Sequence, residues 1–122
     1  MSGYTNVSQG RDGEEKAVQF LKNKGYKIID RNFRLKNGEV DIVATFKNIL
    51  VFIEVKTRTS KDFGTPFEAI NYYKMKALVR VAQYYKMIHP KLPDQMRIDA
   101  ISVQLNTFQD PIIEHIENIS GF

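Results

Sequence analysis

The stretch Gly38–Arg58, GEVDIVATFKNILVFIEVKTR, decides how this chain folds. Two β-branched, apolar runs, Val40–Phe46 and Ile49–Thr57, flank a polar pair, Lys47-Asn48. Runs of this kind read as strands, and a two-residue break between them reads as a hairpin turn. Setting Phe46 against Ile49 brings Ile42 opposite Ile53 and then Asp41 directly opposite Glu54. Directly opposed residues hold their Cβ atoms about 4.5–5.5 Å apart, so two like charges meet. Period-two alternation puts Lys56 on the face of Glu54, opposite Glu39. Inside apolar runs, where water is scarce, such repulsion grows and calls for compensation. A divalent cation would supply it. With oxygen ligands and no His or Cys nearby, Mg²⁺ or Mn²⁺ fits better than Zn²⁺. One structural alternative stays open: a turn at Asn37-Gly38 would set Arg34 opposite Asp41 as an ion pair.

Outward from this hairpin, Tyr26–Leu35 alternates loosely and forms the preceding strand, ending at the Asn37-Gly38 turn. Before it, Asp12-Gly-Glu-Glu15 resembles a capping box, followed by Ala17, Val18, Phe20 and Leu21 at helical spacing and a stop at Gly25. Met1–Gln9 reads as a flexible N-terminal segment. After the hairpin comes a polar loop, Ser60–Gly64. Thr65-Pro66-Phe67-Glu68 then opens a second helix, whose apolar stripe runs Phe67, Ile70, Ala77, Leu78, Val81, Tyr85 and Ile88 before Pro90. Arg97–Leu105 and Ile112–Ile116 complete the chain as strands. The expected fold class is α/β, in the order αβββαββ. A helix between the third and fourth strands implies a right-handed parallel crossover, hence a mixed sheet flanked by helices.

At 122 residues the chain is one ordinary domain, with 43% apolar and 26% charged residues arguing against wholesale disorder. It contains no cysteine, which excludes a disulfide scaffold, a thiolate zinc site and a cysteine nucleophile. No apolar run approaches the about 20 residues of a membrane span, and the N-terminus lacks a signal-peptide pattern, so a cytoplasmic location is expected. The net charge of +4 is unevenly spread. Lys16–Lys36 carries seven basic residues against Asp30 alone, Lys74–Lys86 carries four and no acid, and Asp94–Phe122 has a net of −4. Segregated basic segments with a pI near 9.3 are the footprint of a nucleic-acid binder, and equally of a solvated face. Two polar residues sit on apolar helix faces: Glu14 with Ala17, Val18 and Leu21, and Lys74 between Ile70 and Ala77-Leu78.

The combination Gly13-Glu14-x-x-Ala17, Gly25-Tyr26, Arg31-Asn32, Gly38-Glu39-Val-Asp41, Phe52-x-Glu54-Val-Lys56-Thr-Arg58, Gly64-x-Pro66, Lys74 and Arg97-x-Asp99 resembles the YraN-type family of small bacterial proteins. The resemblance spans about Gly10 to Asn118. It implies the PD-(D/E)XK restriction-endonuclease-like superfamily, close to archaeal Holliday-junction resolvases, although Val40 stands where the superfamily's proline would be. The same resemblance implies a Mg²⁺- or Mn²⁺-dependent endonuclease hydrolysing phosphodiester bonds, in branched or single-stranded DNA. Asp41, Glu54, the Val55 carbonyl and Glu14 would hold metal, with Lys56 as the motif lysine. Lys74, Arg31, Arg34 and Arg58 would contact phosphates. Tyr72, Tyr73, Tyr84 and Tyr85 could stack on bases, though half-buried helix packing is the expectation. Asp99 reads as the ion-pair partner of Arg97, and His89 and His115 as surface residues. Two alternatives accompany this reading: a non-catalytic nucleic-acid-binding module, and a protein-interaction domain on the same fold. A two-fold homodimer is compatible with both substrate symmetry and sequence.

Overall fold

A computed structural model describes residues 6–59, 71–106 and 109–120. The element order is α1 (Asn6–Asn23), β1 (Lys27–Leu35), β2 (Gly38–Phe46), β3 (Ile49–Thr59), α2 (Tyr72–Ile88), β4 (Met96–Leu105) and β5 (Ile112–Ile116). The expected αβββαββ order is therefore present. The five strands form one sheet in the order β1-β2-β3-β4-β5. Only β3 and β4 run parallel, joined across α2, and the other neighbours are antiparallel.

Alternation along the strands divides the core between the two faces. On one face Ala17, Val18 and Leu21 of α1 pack on Ile42, Ala44, Val51, Ile53, Ile101 and Val103. On the other Leu78, Val81, Ala82 and Tyr85 of α2 pack on Val40, Val43, Leu50, Phe52 and Ile98. Phe52, Leu50 and Ile53 are fully buried, as befits a central strand covered by helices on both sides.

Several boundaries depart from expectation for identifiable reasons. Helix α1 starts at Asn6, so residues 6–9 are helical rather than part of a flexible segment, and Asp12–Glu15 lies inside the helix. Its early turns run along β3, where the Gln9 amide donates to the Thr57 carbonyl at 3.4 Å. The C-terminus ends as expected at Gly25, in the left-handed region at φ +96°. There the Tyr26 N–H reaches the Leu21 carbonyl and the Gly25 N–H the Lys22 carbonyl, a Schellman closure. Helix α2 is capped by Asn71, whose side chain accepts the Lys74 N–H at 2.9 Å. The expected start at Thr65-Pro66 and the stripe positions Phe67 and Ile70 lie outside the described residues.

The β2–β3 turn forms as expected, with Lys47 and Asn48 both at positive φ. The β1–β2 turn does not. It sits at Lys36-Asn37, so that Leu35 pairs with Gly38 and Arg34 with Glu39. Gly38 belongs to the strand because α2 crosses close above it: a Cβ there would lie 3.0 Å from the Val81 side chain. The shift removes the Arg34–Asp41 ion pair left open by the sequence, and Arg34 instead bonds Glu39 at 2.8 Å.

A buried polar network fastens β4 to β5 and to the end of α1. Asp99 is wholly buried; its Oδ1 accepts from Arg97 Nε and the Asn118 N–H, both at 2.8 Å. Its Oδ2 accepts from Arg97 Nη2 at 3.0 Å and is 2.8 Å from His115 Nε2. Arg97 also donates to the Tyr26 hydroxyl at 2.7 Å. The Arg97–Asp99 pair is the one expected. His115, expected at the surface, is instead buried beside Asp99, with Lys24 Nζ 2.9 Å from its Nδ1. His89 is half-buried, stacked on Tyr85.

Candidate active site

The site grows from the place where β2 and β3 part. Their ladder runs from Phe46↔Ile49 to Ile42↔Ile53 and ends there, one step short of Asp41 and Glu54. Beyond it the Val55 N–H has no strand partner on β2; the Asp41 carboxylate takes its place, accepting that N–H on Oδ2 at 2.7 Å. Glu54 continues the alternation of Leu50 and Phe52 toward α2 and is buried, 8% exposed. Its Oε1 meets Lys74 Nζ at 2.6 Å, the lysine being carried by the capped first turn of α2. Its Oε2 is buried with no hydrogen-bond partner. A buried carboxylate oxygen without a donor is costly, which makes this atom the most informative in the molecule.

Electrostatics follow from that arrangement. Burial pushes the Asp41 carboxyl up to about 7, and the Glu54 charge adds to the rise while the Val55 N–H opposes it. Burial also raises Glu54, outweighing the Lys74 contact that pulls it down. Burial alone would lower the Lys74 ammonium, yet its bond to Glu54 leaves it raised. One lysine thus compensates part of a two-carboxylate site.

The other expected residues are distributed around this pair. Lys56, two residues along β3, shares the Glu54 face by alternation and is exposed. Val55 is half-buried between them. Arg58 lies further along the same strand. Glu14 is held by Arg31 Nε at 3.0 Å and Asn32 Nδ2 at 3.1 Å, both on Oε1. A register shift in β1 and the positive φ of Asn32 belong to the segment that carries these two donors. Arg31 also binds Glu15. Among the described residues, no three His, Cys, Asp or Glu side chains form a ready metal-ligand group, so Glu14 stands apart from the Asp41–Glu54 pair. Arg31, Arg34 and Lys74, expected at phosphates, each already face a carboxylate. Lys74, placed by the sequence on a buried stripe, is 44% exposed along its side chain and reaches sideways to Glu54. Only Tyr85 among the four helix tyrosines is buried, its hydroxyl donating to Asp30.

Gly13 has a part that no sequence signal announces. A Cβ at Gly13 would lie 1.9 Å from Thr57 Oγ1, so only glycine lets α1 lie this close to β3. The adjacent Glu14 is thereby brought to the side of the sheet where its charge adds to the Asp41 rise.

Comparison with known proteins decides the family. Residues 13–103 match the model of the uncharacterised protein family UPF0102. The chain belongs to this family. It is the YraN-type family, and the match takes in Gly13, Glu14, Asp41, Glu54, Lys56, Lys74 and Asp99. Among UPF0102 relatives, the chain is 47% identical over 106 residues to TTE1452 of Caldanaerobacter subterraneus subsp. tengcongensis, covering 87% of each chain. It is 46% identical to the Alkaliphilus oremlandii UPF0102 protein, covering 93% of this chain and 97% of that one. It is 50% identical to the Caldicellulosiruptor saccharolyticus member over 97 residues, covering 80% and 82%. The UPF0102 chain also has, among its described residues, no helix long and apolar enough to cross a membrane.

Proposed function

We propose that this UPF0102 protein is a divalent-metal-dependent nuclease that hydrolyses phosphodiester bonds in nucleic acid, with DNA as the substrate. The observation that carries the reading is the buried, partnerless Oε2 of Glu54, one register step from Asp41 at the parting of two strands. An oxygen-rich, cation-deficient site with two carboxylates suits Mg²⁺ or Mn²⁺. Asp41, Glu54 and the Val55 carbonyl would hold the ion, with Glu14 as a further carboxylate nearby. When bound, the ion supplies Lewis-acid polarisation of the phosphate and a water of lowered pKa.

The chain's own groups take the remaining roles. Asp41 keeps its orientation through the Val55 N–H, and Glu54 through the Lys74 contact. Lys56, exposed beside Glu54, is available to orient a water or to offset charge on the scissile phosphate. Lys74 is positioned to donate to a phosphate oxygen at the same spot. Arg31, Arg34 and Arg58 are the candidates for backbone contacts further along the strand, which makes affinity fall steeply with salt.

The Lys74–Glu54 contact also favours a second reading: with half the charge already compensated, the site could serve binding without hydrolysis. A cleavage assay separates the two. With Mg²⁺ or Mn²⁺, labelled duplex, single-strand, branched DNA and RNA are incubated with wild type, Glu54→Gln and Lys56→Ala proteins prepared identically. Metal-dependent cleavage abolished in both variants is the expected result. Salt-sensitive binding without cleavage, unchanged by both substitutions, would establish the binding module instead.

A further inference from the structure

The N-terminal turn of α2 carries an exposed aromatic pair at the edge of the candidate site. Tyr72 and Tyr73 are 67% and 79% exposed, although tyrosines usually bury much of their ring. Their rings stand 5.5 Å apart and nearly perpendicular, and Lys76 Nζ lies 5.4 Å from the Tyr72 centroid. Tyr72 also opens a groove of about 320 Å³ along the outer face of α2, floored by Met75 and Val79 and edged by Lys76 and Arg80. Helix α2 has four basic residues and no acidic one. Directly after the aromatic pair comes Lys74, the residue that touches Glu54. An aromatic surface in a wholly basic setting, continuous with a cluster of carboxylates, is therefore attached to the site itself.

We propose that Tyr72 and Tyr73 stack on unpaired bases of a nucleic-acid strand whose backbone crosses the Asp41–Glu54 site, so that the substrate presents a single-stranded or splayed segment there. This deepens the nuclease reading and rests on it. In a duplex the base faces are covered by their neighbours, and a protein meets phosphates and groove edges. Exposed base faces exist only where strands are unpaired, and it is these that aromatic platforms hold. Lys76 and Arg80 supply the cations that follow the backbone, and the Met75–Val79 floor gives a displaced base an apolar seat. A duplex-only binder would need the lysines and arginine but has no use for two exposed phenol rings.

The test measures binding without added metal, so that cleavage plays no part. Equal-length single-stranded, forked and blunt-duplex oligonucleotides are titrated by fluorescence anisotropy into wild type, Tyr72→Ala/Tyr73→Ala and Tyr72→Phe/Tyr73→Phe proteins. The chain has six tyrosines and no tryptophan, so quenching of tyrosine emission reports stacking on the same samples. The expected result is about tenfold weaker binding of the single strand and fork by the alanine variant, less than about twofold on the blunt duplex, and recovery in the phenylalanine variant. Equal loss on all three oligonucleotides, or no loss on any, would overturn the stacking proposal while leaving the nuclease reading in place. Wild-type protein that binds none of them would overturn both, and would turn the exposed rings toward a protein partner.

Discussion

Asp99 and the Asp41–Glu54 pair are acids buried in the same sheet, and they are treated in opposite ways. Asp99 receives donors on both oxygens from Arg97, His115 and the Asn118 N–H. Burial alone would raise its carboxyl, yet these bonds hold it below the ordinary carboxylate range. Asp41 has one backbone N–H and Glu54 one lysine, and one Glu54 oxygen has nothing. Burial prevails there, and both carboxyls are raised. A buried charge that is fully bonded reads as structure. One left short of donors lowers stability and persists where function requires it.

Substitutions at the two places should therefore have opposite signs. Asp99→Ala leaves Arg97 without its main partner in a largely buried setting and should cost about 3–5 kcal/mol, seen as a lower urea midpoint with unchanged slope. A loss below about 1 kcal/mol would mean that the network is ornamental. Next in size is the close approach of α1. Gly13→Ala drives a methyl into Thr57 and should cost about 1–3 kcal/mol by overpacking. Gly10→Ala, with open space around it, should be neutral or stabilising by up to about 1 kcal/mol through helix propensity. Equal effects at the two glycines would contradict the close packing that positions Glu14. Smaller, and opposite in sign to Asp99, is Asp41→Asn. It keeps an oxygen for the Val55 N–H but deletes a like charge, and should stabilise the metal-free protein by about 1 kcal/mol at pH 8.

The pH dependence carries the same contrast. Because the folded Asp41 carboxyl titrates at about 7, against 3.8 for the ordinary group, the folded state holds a proton that the unfolded chain releases. The stability tied to that proton is full below about pH 4 and is lost as pH rises through about 7. Asp99 does the reverse: its contribution is present above its ordinary value and is lost as pH falls through its lowered one. Urea midpoints of metal-free wild type and Asp41→Asn from pH 4 to 8 should therefore diverge, the variant gaining on wild type as pH rises. Parallel curves would contradict it.

Strand alternation, the Lys47-Asn48 turn and the apolar runs made the sheet and its β2–β3 register legible in the sequence, and with them the meeting of Asp41 and Glu54. The β1–β2 register was not legible, because Asn37-Gly38 resembles a turn while Gly38 is a glycine for the sake of α2 packed above it. Nor was the Asp99–His115 contact, which depends on β5 lying antiparallel to β4 across a long connection. Lys74 signalled itself as a charge on an apolar stripe, but its partner is 20 positions away on another element. The exposure of Tyr72 and Tyr73 depends on where α2 starts, and the sequence carries two competing start signals, Thr65 and Asn71.

Everything proposed for this protein turns on Asp41 and Glu54 forming a cation site short of its cation. Calorimetric titration of metal-free wild-type protein with Mn²⁺, beside Asp41→Asn and Glu54→Gln, addresses that point without needing a substrate. Saturable binding by wild type and a rise in Tm with Mn²⁺ concentration are expected, with loss of both in each variant. No binding by wild type, or binding that survives both substitutions, would contradict the cation site.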